Sequence, residues 1–185
     1  MPEPPDRDEL LLLDACVVIN LSASRQMEAI VRSLAIDVGV VALVQAEAGN
    51  VRRGGDGDDA DEREPIELAP LLERGLLRQV EPTEEEPDRF AALTVRLDDG
   101  EAMTAAVALA RGWAVATDER KAITLLANQI RVLSTLDLVK TWADRERVDP
   151  TTLARALADL RDRGRYHPGP WHPWRAWWDD RLGSN

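Results

Sequence analysis

Glu9-Leu10-Leu11-Leu12-Leu13-Asp14-Ala15-Cys16-Val17-Val18-Ile19 is the stretch that decides the fold. Four consecutive leucines form a continuous apolar run, the pattern of a strand covered on both faces in a parallel sheet. Asp14 interrupts the run, and the apolar residues after it predict a turn into a helix. Further on, Met27, Ile30, Val31 and Leu34 recur at helical spacing, and residues 38–44 form a second short apolar run. The opening is therefore β-α-β.

The rest of the chain continues the alternation. Residues 45–53 read as helix, and the glycine- and aspartate-rich residues 54–59 as an exposed flexible loop. Leu68, Leu71 and Leu72 ahead of Gly75 predict a short helix, residues 76–80 a strand, and Pro82 with Glu84-Glu85-Glu86 the start of another helix. The alanine-rich residues 101–111 predict a strong helix ended by Gly112, followed by a buried strand at 113–116. Helices at 120–129, 136–144 and 151–163, with a strand at 130–133, complete the body. Strands alternating with helices predict an α/β fold, a three-layer α/β/α sandwich around a short, mostly parallel central sheet. The expected organisation is a flexible N-terminus over residues 1–8, one domain over 9–165, and a Trp- and Pro-rich tail over 166–185 that carries four of the six tryptophans.

The composition narrows the chemistry. With 34 acids against 23 lysines and arginines, the 185-residue chain carries a net charge of −11. That balance argues against a protein that coats duplex nucleic acid through a broad basic face. It does not argue against a nuclease, because metal ions bring their own positive charge to an acidic pocket. A single cysteine, Cys16, excludes a disulfide scaffold or a Cys-rich zinc module. The only histidines are His167 and His172, so carboxylates are the expected agents in the body of the chain. The start of the chain has no positive n-region and no long uninterrupted apolar run. The expectation is no signal peptide, no membrane span, and a reducing cytoplasmic home.

In open α/β sheets the ligand crevice lies beyond the carboxyl ends of the strands, which singles out Asp14 and Asp118. Glu47 follows the second apolar run, and Glu101 heads the alanine-rich helix. Each has a plainer reading: Asp14 and Asp118 as helix caps, Glu47 on a solvated helix face, Glu101 as a first-turn acid facing the helix dipole. Four such acids without His or Cys partners select hard, oxygen-preferring cations, Mg²⁺ or Mn²⁺. Crowded carboxylates also raise one another's pKa unless a cation compensates. The nucleotide-binding glycine motifs G-x-G-x-x-G and G-x-x-x-x-G-K-[ST] are absent, and Asp14-Ala15-Cys16 lacks the second Asp of a haloacid-dehalogenase-like phosphatase.

Three blocks share one further pattern: residues 11–20, Val44-Gln45-Ala46-Glu47, and Gly100-Glu101-Ala102-Met103-Thr104-Ala105-Ala106 leading into Ala114-Val115-Ala116-Thr117-Asp118. In order and spacing they resemble the PIN-domain nucleases, and within them the VapC-like toxins of toxin–antitoxin pairs, over residues 10–164. The resemblance implies a PIN-like domain whose acidic quartet matches Asp14, Glu47, Glu101 and Asp118, with metal held by Asp14, Glu101 and Asp118. It implies supporting roles for Asn20 and Thr117 beside the acids. Asp98 and Asp99 are neighbours that compete with Glu101 for the third position, and Cys16 stands where a hydroxyl is frequent.

The implied function is a Mg²⁺- or Mn²⁺-dependent endoribonuclease hydrolysing RNA phosphodiester bonds, the toxin of a pair with a cognate antitoxin, acting as a homodimer. The alternative from another class is a non-catalytic α/β binding module that docks a protein partner or nucleic acid. Trp171, Trp174, Trp177 and Arg175 suit stacking of single-stranded bases. A tail folded back on the body or docked on a partner takes precedence, because large aromatics also dominate interfaces.

Overall fold

Leu10–Leu13 form strand β1 with all four side chains buried, which requires hydrogen-bonded neighbours on both edges and helices on both faces. The structure is a computed structural model that describes residues 9–54, 62–83 and 86–183, with the side chains of residues 46 and 47 excepted. The expected flexible N-terminus, nearly all of the expected glycine-rich loop and two of the three glutamates at 84–86 thus lie outside the described residues.

After β1 come α1 (Ala15–Ala23), α2 (Met27–Ser33), β2 (Asp37–Val41), α3 (Ala42–Glu47), β3 (Asn50–Arg52), β4 (Arg63–Pro65), α4 (Ala69–Glu73) and β5 (Arg78–Val80). They are followed by α5 (Pro87–Leu93), α6 (Asp99–Arg111), β6 (Ala114–Ala116), α7 (Arg120–Leu126), β7 (Val132–Leu133), α8 (Thr135–Arg145), α9 (Pro150–Asp162) and α10 (Arg175–Gly183). The main sheet has the order β5-β2-β1-β6-β7, and each of its pairings is parallel. Helix α6 packs across β1, β2 and β6 together with α3, α5 and α7, while α1 packs with α2, α8 and α9. The expected α/β/α sandwich is the observed architecture.

Small residues let α6 lie close to the sheet: Ala102, Ala105, Ala106 and Ala108 are all buried, and Gly112 ends the helix at φ +68°, a conformation glycine adopts without strain. At Gly39 of β2 an added Cβ would stand 2.8 Å from Leu10 and 3.1 Å from Val80, so the strand's closeness to its neighbours depends on the missing side chain.

The local boundaries differ from expectation in three places. Strand β2 ends at Val41, and Ala42 already belongs to α3, because an unbroken apolar run carries no periodic mark where strand turns into helix. The helix expected through residue 53 stops at Glu47, and Asn50–Arg52 instead pairs antiparallel with Arg63–Pro65. A buried guanidinium holds this hairpin to the body: Arg163 donates to the carbonyls of Arg52, Arg53 and Ala23 and pairs with Glu64. Helix α5 starts at Pro87 rather than near Pro82, with proline in its first turn. Among the described residues no helix is long and apolar enough to cross a membrane.

Leu12 is fully buried in the central strand. Leu12→Ala is expected to cost about 2–5 kcal/mol, the transfer loss plus the cavity left in a packed interior. Urea unfolding of the two proteins measures it, and a loss well under 1 kcal/mol would mean that β1 is not the centre of the core.

Candidate active site

The chain visits β1, β2 and β5 in one direction and then crosses to β6 and β7 on the other side, so the sheet's order reverses between β1 and β6. A crevice forms beyond the carboxyl ends of strands at such a switch point. The register sets Leu13 opposite Ala116, and the Asp14 N–H continues the ladder by donating to the Ala116 carbonyl at 3.0 Å. Asp14 and Thr117 therefore leave adjacent strands side by side.

Asp14 is only 2% exposed, and its carboxylate is met by donors. It is the N-cap of α1, and its side chain accepts from the first N–H of that helix, Ala15, at 2.8 Å. It also accepts from the Thr117 hydroxyl at 2.8 Å and the Cys16 thiol at 3.4 Å. Thr117 is oriented in turn, because its oxygen accepts from the Glu119 N–H at 3.1 Å, leaving its hydrogen for Asp14. Cys16 does what a hydroxyl would do there: it donates to Asp14 and accepts from the Asp118 N–H at 3.4 Å. Burial, with the charges of Asp14 and Asp118 adding to it, pushes the thiol up, so it stays protonated and able to donate.

Asp118 sits at the same end of the sheet but faces inward. One carboxylate oxygen accepts from the Thr135 N–H at 3.0 Å and the Tyr166 hydroxyl at 3.4 Å. The other accepts from the Thr135 hydroxyl at 2.5 Å and the Asn20 amide at 3.0 Å. All four acceptor positions are engaged by protein donors. Asp118 does not cap the helix that follows it, since Glu119 holds that place. It meets instead the first N–H of α8, where the helix dipole favours a negative charge. Burial nevertheless outweighs these bonds and raises its pKa.

Glu101 is half-buried in the first turn of α6, in a capping box with Asp98. Its pKa is raised to about 7, first by burial and then by the charge of Asp14, with Glu119 and Asp98 adding smaller repulsions. The structure thus brings Asp14 and Glu101 into one electrostatic neighbourhood and adds Glu119, which sequence reasoning missed. Asp98 is an exposed N-cap and Asp99 is exposed. The side chain of Glu47 lies outside the described residues.

Hard oxygen donors and unneutralised repulsion suit a divalent cation at Asp14 and Glu101, and Mg²⁺ is commonly held by one or two carboxylates with the rest of its shell water. One turn beyond Glu101, the Thr104 hydroxyl is buried with no hydrogen-bond partner among the described residues. No group of three or more His, Cys, Asp or Glu among those residues is arranged to hold a metal.

The tail folds back on the body and builds one wall of the region. Tyr166 reaches Asp118 and packs edge-on against the buried Trp178 at 5.6 Å. His172 accepts at Nδ1 from the Trp174 N–H at 3.1 Å, which leaves the proton on Nε2 to donate to the Ser134 hydroxyl at 2.9 Å. Ser134 donates to Asp137 at 2.6 Å, and Trp174 Nε1 donates to the same carboxylate at 2.7 Å. Arg175 is tied to Asp179 and to the Pro168 carbonyl, and Trp177 lies beneath Lys140 and Arg181. Of the four tail residues considered for stacking, Trp171 alone is largely exposed, at 52%. Neither Tyr166 nor Thr135 carries a sequence signal at this site, because both arrive from distant segments.

No family model matches this chain, and neither the curated proteins nor the solved structures compared with it show a match.

Titration of the Glu101 carboxyl followed by NMR is expected to give a midpoint of about 7. In Asp14→Asn the midpoint should fall but stay above the ordinary glutamate value, because burial is the larger cause. A raised folded-state pKa in an acid means this group opposes folding above its unfolded pKa, so its cost is relieved as pH falls from about 7 towards 4.5. An unchanged midpoint in the variant would place the two carboxyls too far apart to share a site.

Proposed function

We propose that this protein is a Mg²⁺- or Mn²⁺-dependent endoribonuclease, a PIN-like hydrolase acting at the switch point between β1 and β6. One observation carries the reading: a buried, donor-fixed carboxylate at the end of the central strand, Asp14, whose charge raises the neighbouring Glu101. An acid whose pKa is raised by burial together with a specific charged neighbour is a candidate for function.

Asp14 and Glu101 are the residues that would hold the cation, with Glu47 as the sequence match for a further ligand. When bound, the cation supplies Lewis acidity that acidifies water and offsets charge on the phosphodiester. The chain's own part is positional. Thr117, Cys16 and the Ala15 N–H fix the Asp14 carboxylate in one orientation. Asp118 ties the β6 end to α1 through Asn20 and to α8 through Thr135. Without the cation the Glu101 carboxyl is raised to about 7 by burial and by the charge of Asp14, and holding the cation would offset that repulsion and favour its ionised form. Attack by water on phosphorus with the 3′-oxygen leaving gives a 5′-phosphate and a 3′-hydroxyl, and needs no histidine.

A second reading draws on the saturation of Asp118 by four protein donors. On that reading the acids are structural, and the domain is a non-catalytic module that docks a protein or nucleic acid. Incubation of the protein with single-stranded RNA and Mn²⁺ separates the two. Cleavage with 5′-phosphate ends, reduced at least about 10²-fold in folded Asp14→Asn, supports the hydrolase; equal products from both proteins remove Asp14 from any cleavage and overturn this site, and none from either favours the module.

The role as a cytoplasmic toxin with a cognate antitoxin, and the homodimer, belong to this proposal and rest on the resemblance of the three motif blocks. Expression of the protein alone is expected to arrest growth, and Asp14→Asn to relieve the arrest. Normal growth with soluble wild-type protein accumulating would remove the toxin role, and a monomer in sedimentation would remove the dimer.

A further inference from the structure

We infer that the cavity between α7 and the folded-back tail binds a nucleobase of a single-stranded RNA, stacked on Trp171 beside the acidic site. This rests on the reading of that site as one that acts on RNA, and it names the form of the substrate.

The cavity is about 490 Å³, within the range of about 300–1,000 Å³ usual for small-ligand sites. Its apolar wall includes Ile123 and Val132, its inner edge reaches Asp118 and Tyr166, and Arg131 and Trp171 stand in its lining. It therefore adjoins the candidate active site directly. A second groove, about 760 Å³, lies on the other side of α7 and is lined by Glu119 with Arg96, Arg120 and Lys121. Helix α7 is thus a ridge between a cationic groove and an aromatic cavity, with Glu119 on one side and Asp118 on the other.

Charge complementarity names the occupant. The chain as a whole is strongly acidic, with a net charge of −11, yet Arg96, Lys121 and Arg131 form no ion pair among the described residues. Arg120 stands 6.0 Å from the Trp171 ring centre. Cations that track a backbone, next to an indole that can stack a base, are the elements of single-strand recognition. A duplex cannot reach the indole without unstacking a base.

The indole is also held ready. A turn runs from Gly169 to His172, closed by the His172 N–H on the Gly169 carbonyl at 3.0 Å, with Pro170 inside it and Pro168 and Pro173 flanking it. The Trp171 ring lies so close over Gly169 that an added Cβ would stand 2.4 Å from Nε1. Only glycine allows this placement. A platform fixed before the ligand arrives loses little side-chain entropy on stacking.

Fluorescence anisotropy of labelled oligouridylate in EDTA, where metal-dependent cleavage is suppressed, tests the inference. Trp171→Ala and Gly169→Ala are each expected to weaken single-strand binding about tenfold, with Trp171→Phe retaining most of the affinity and a hairpin duplex unaffected. Trp171 is exposed, so its variants should fold, and circular dichroism checks this. Unchanged oligouridylate affinity in folded Trp171→Ala overturns the inference and leaves the indole as a protein contact. Cleavage assays with Mn²⁺ report separately on the hydrolase. Weakened binding without wild-type cleavage keeps the cavity and removes the hydrolase, whereas cleavage with unchanged binding does the reverse.

Discussion

A carboxylate at the end of the most buried strand must be satisfied by protein donors, and the arrangement around Asp14 follows from that requirement. Burying an ionised group without partners costs several kcal/mol, so the chain surrounds it with a backbone N–H, a hydroxyl and a thiol. Each donor is placed by an element that β1 itself organises. Ala15 starts the helix that β1 runs into, Cys16 lies on that helix, and Thr117 ends the strand that pairs with β1. The parallel register between β1 and β6 is thus a condition of both the fold and the site.

The two strand-end aspartates divide the work. Asp14 shares its field with Glu101, while Asp118 joins four segments: α1 through Asn20, α8 through Thr135, the tail through Tyr166 and β6 through its own backbone. A buried polar network that is fully satisfied holds one arrangement firmly, because any shift strands a donor or acceptor in a low-dielectric interior. Asp118 in this way ties the strand ends to the tail that walls the neighbouring cavity.

The overall charge of −11 leaves local exceptions on the surface. Many of the arginines are consumed by internal pairs, such as Arg111 with the buried Glu86 and Arg163 with Glu64. Arg96, Arg120 and Lys121 line the groove on one face of α7 and Arg131 the cavity on another.

Local pattern was enough to determine the buried leucine strand, the alternation of strands and helices, and the positions of Asp14, Asp118 and Glu101 at element ends, because periodicity and capping act over a few residues. The change from β2 to α3 inside one apolar run, and the hairpin formed by residues 50–52, were not legible. The first leaves no periodic mark, and the second depends on a partner strand and a buried arginine far along the chain. Nor did the chain's order reveal that Asp118 is saturated, that Glu119 joins the field of Glu101, or that Trp171 alone of the tail tryptophans is left largely exposed. Those are matters of which side chains meet across long loops. The sequence by itself determined which acids stand at strand ends; only tertiary packing decided which way each carboxylate faces, since that depends on donors delivered from segments up to 103 positions away.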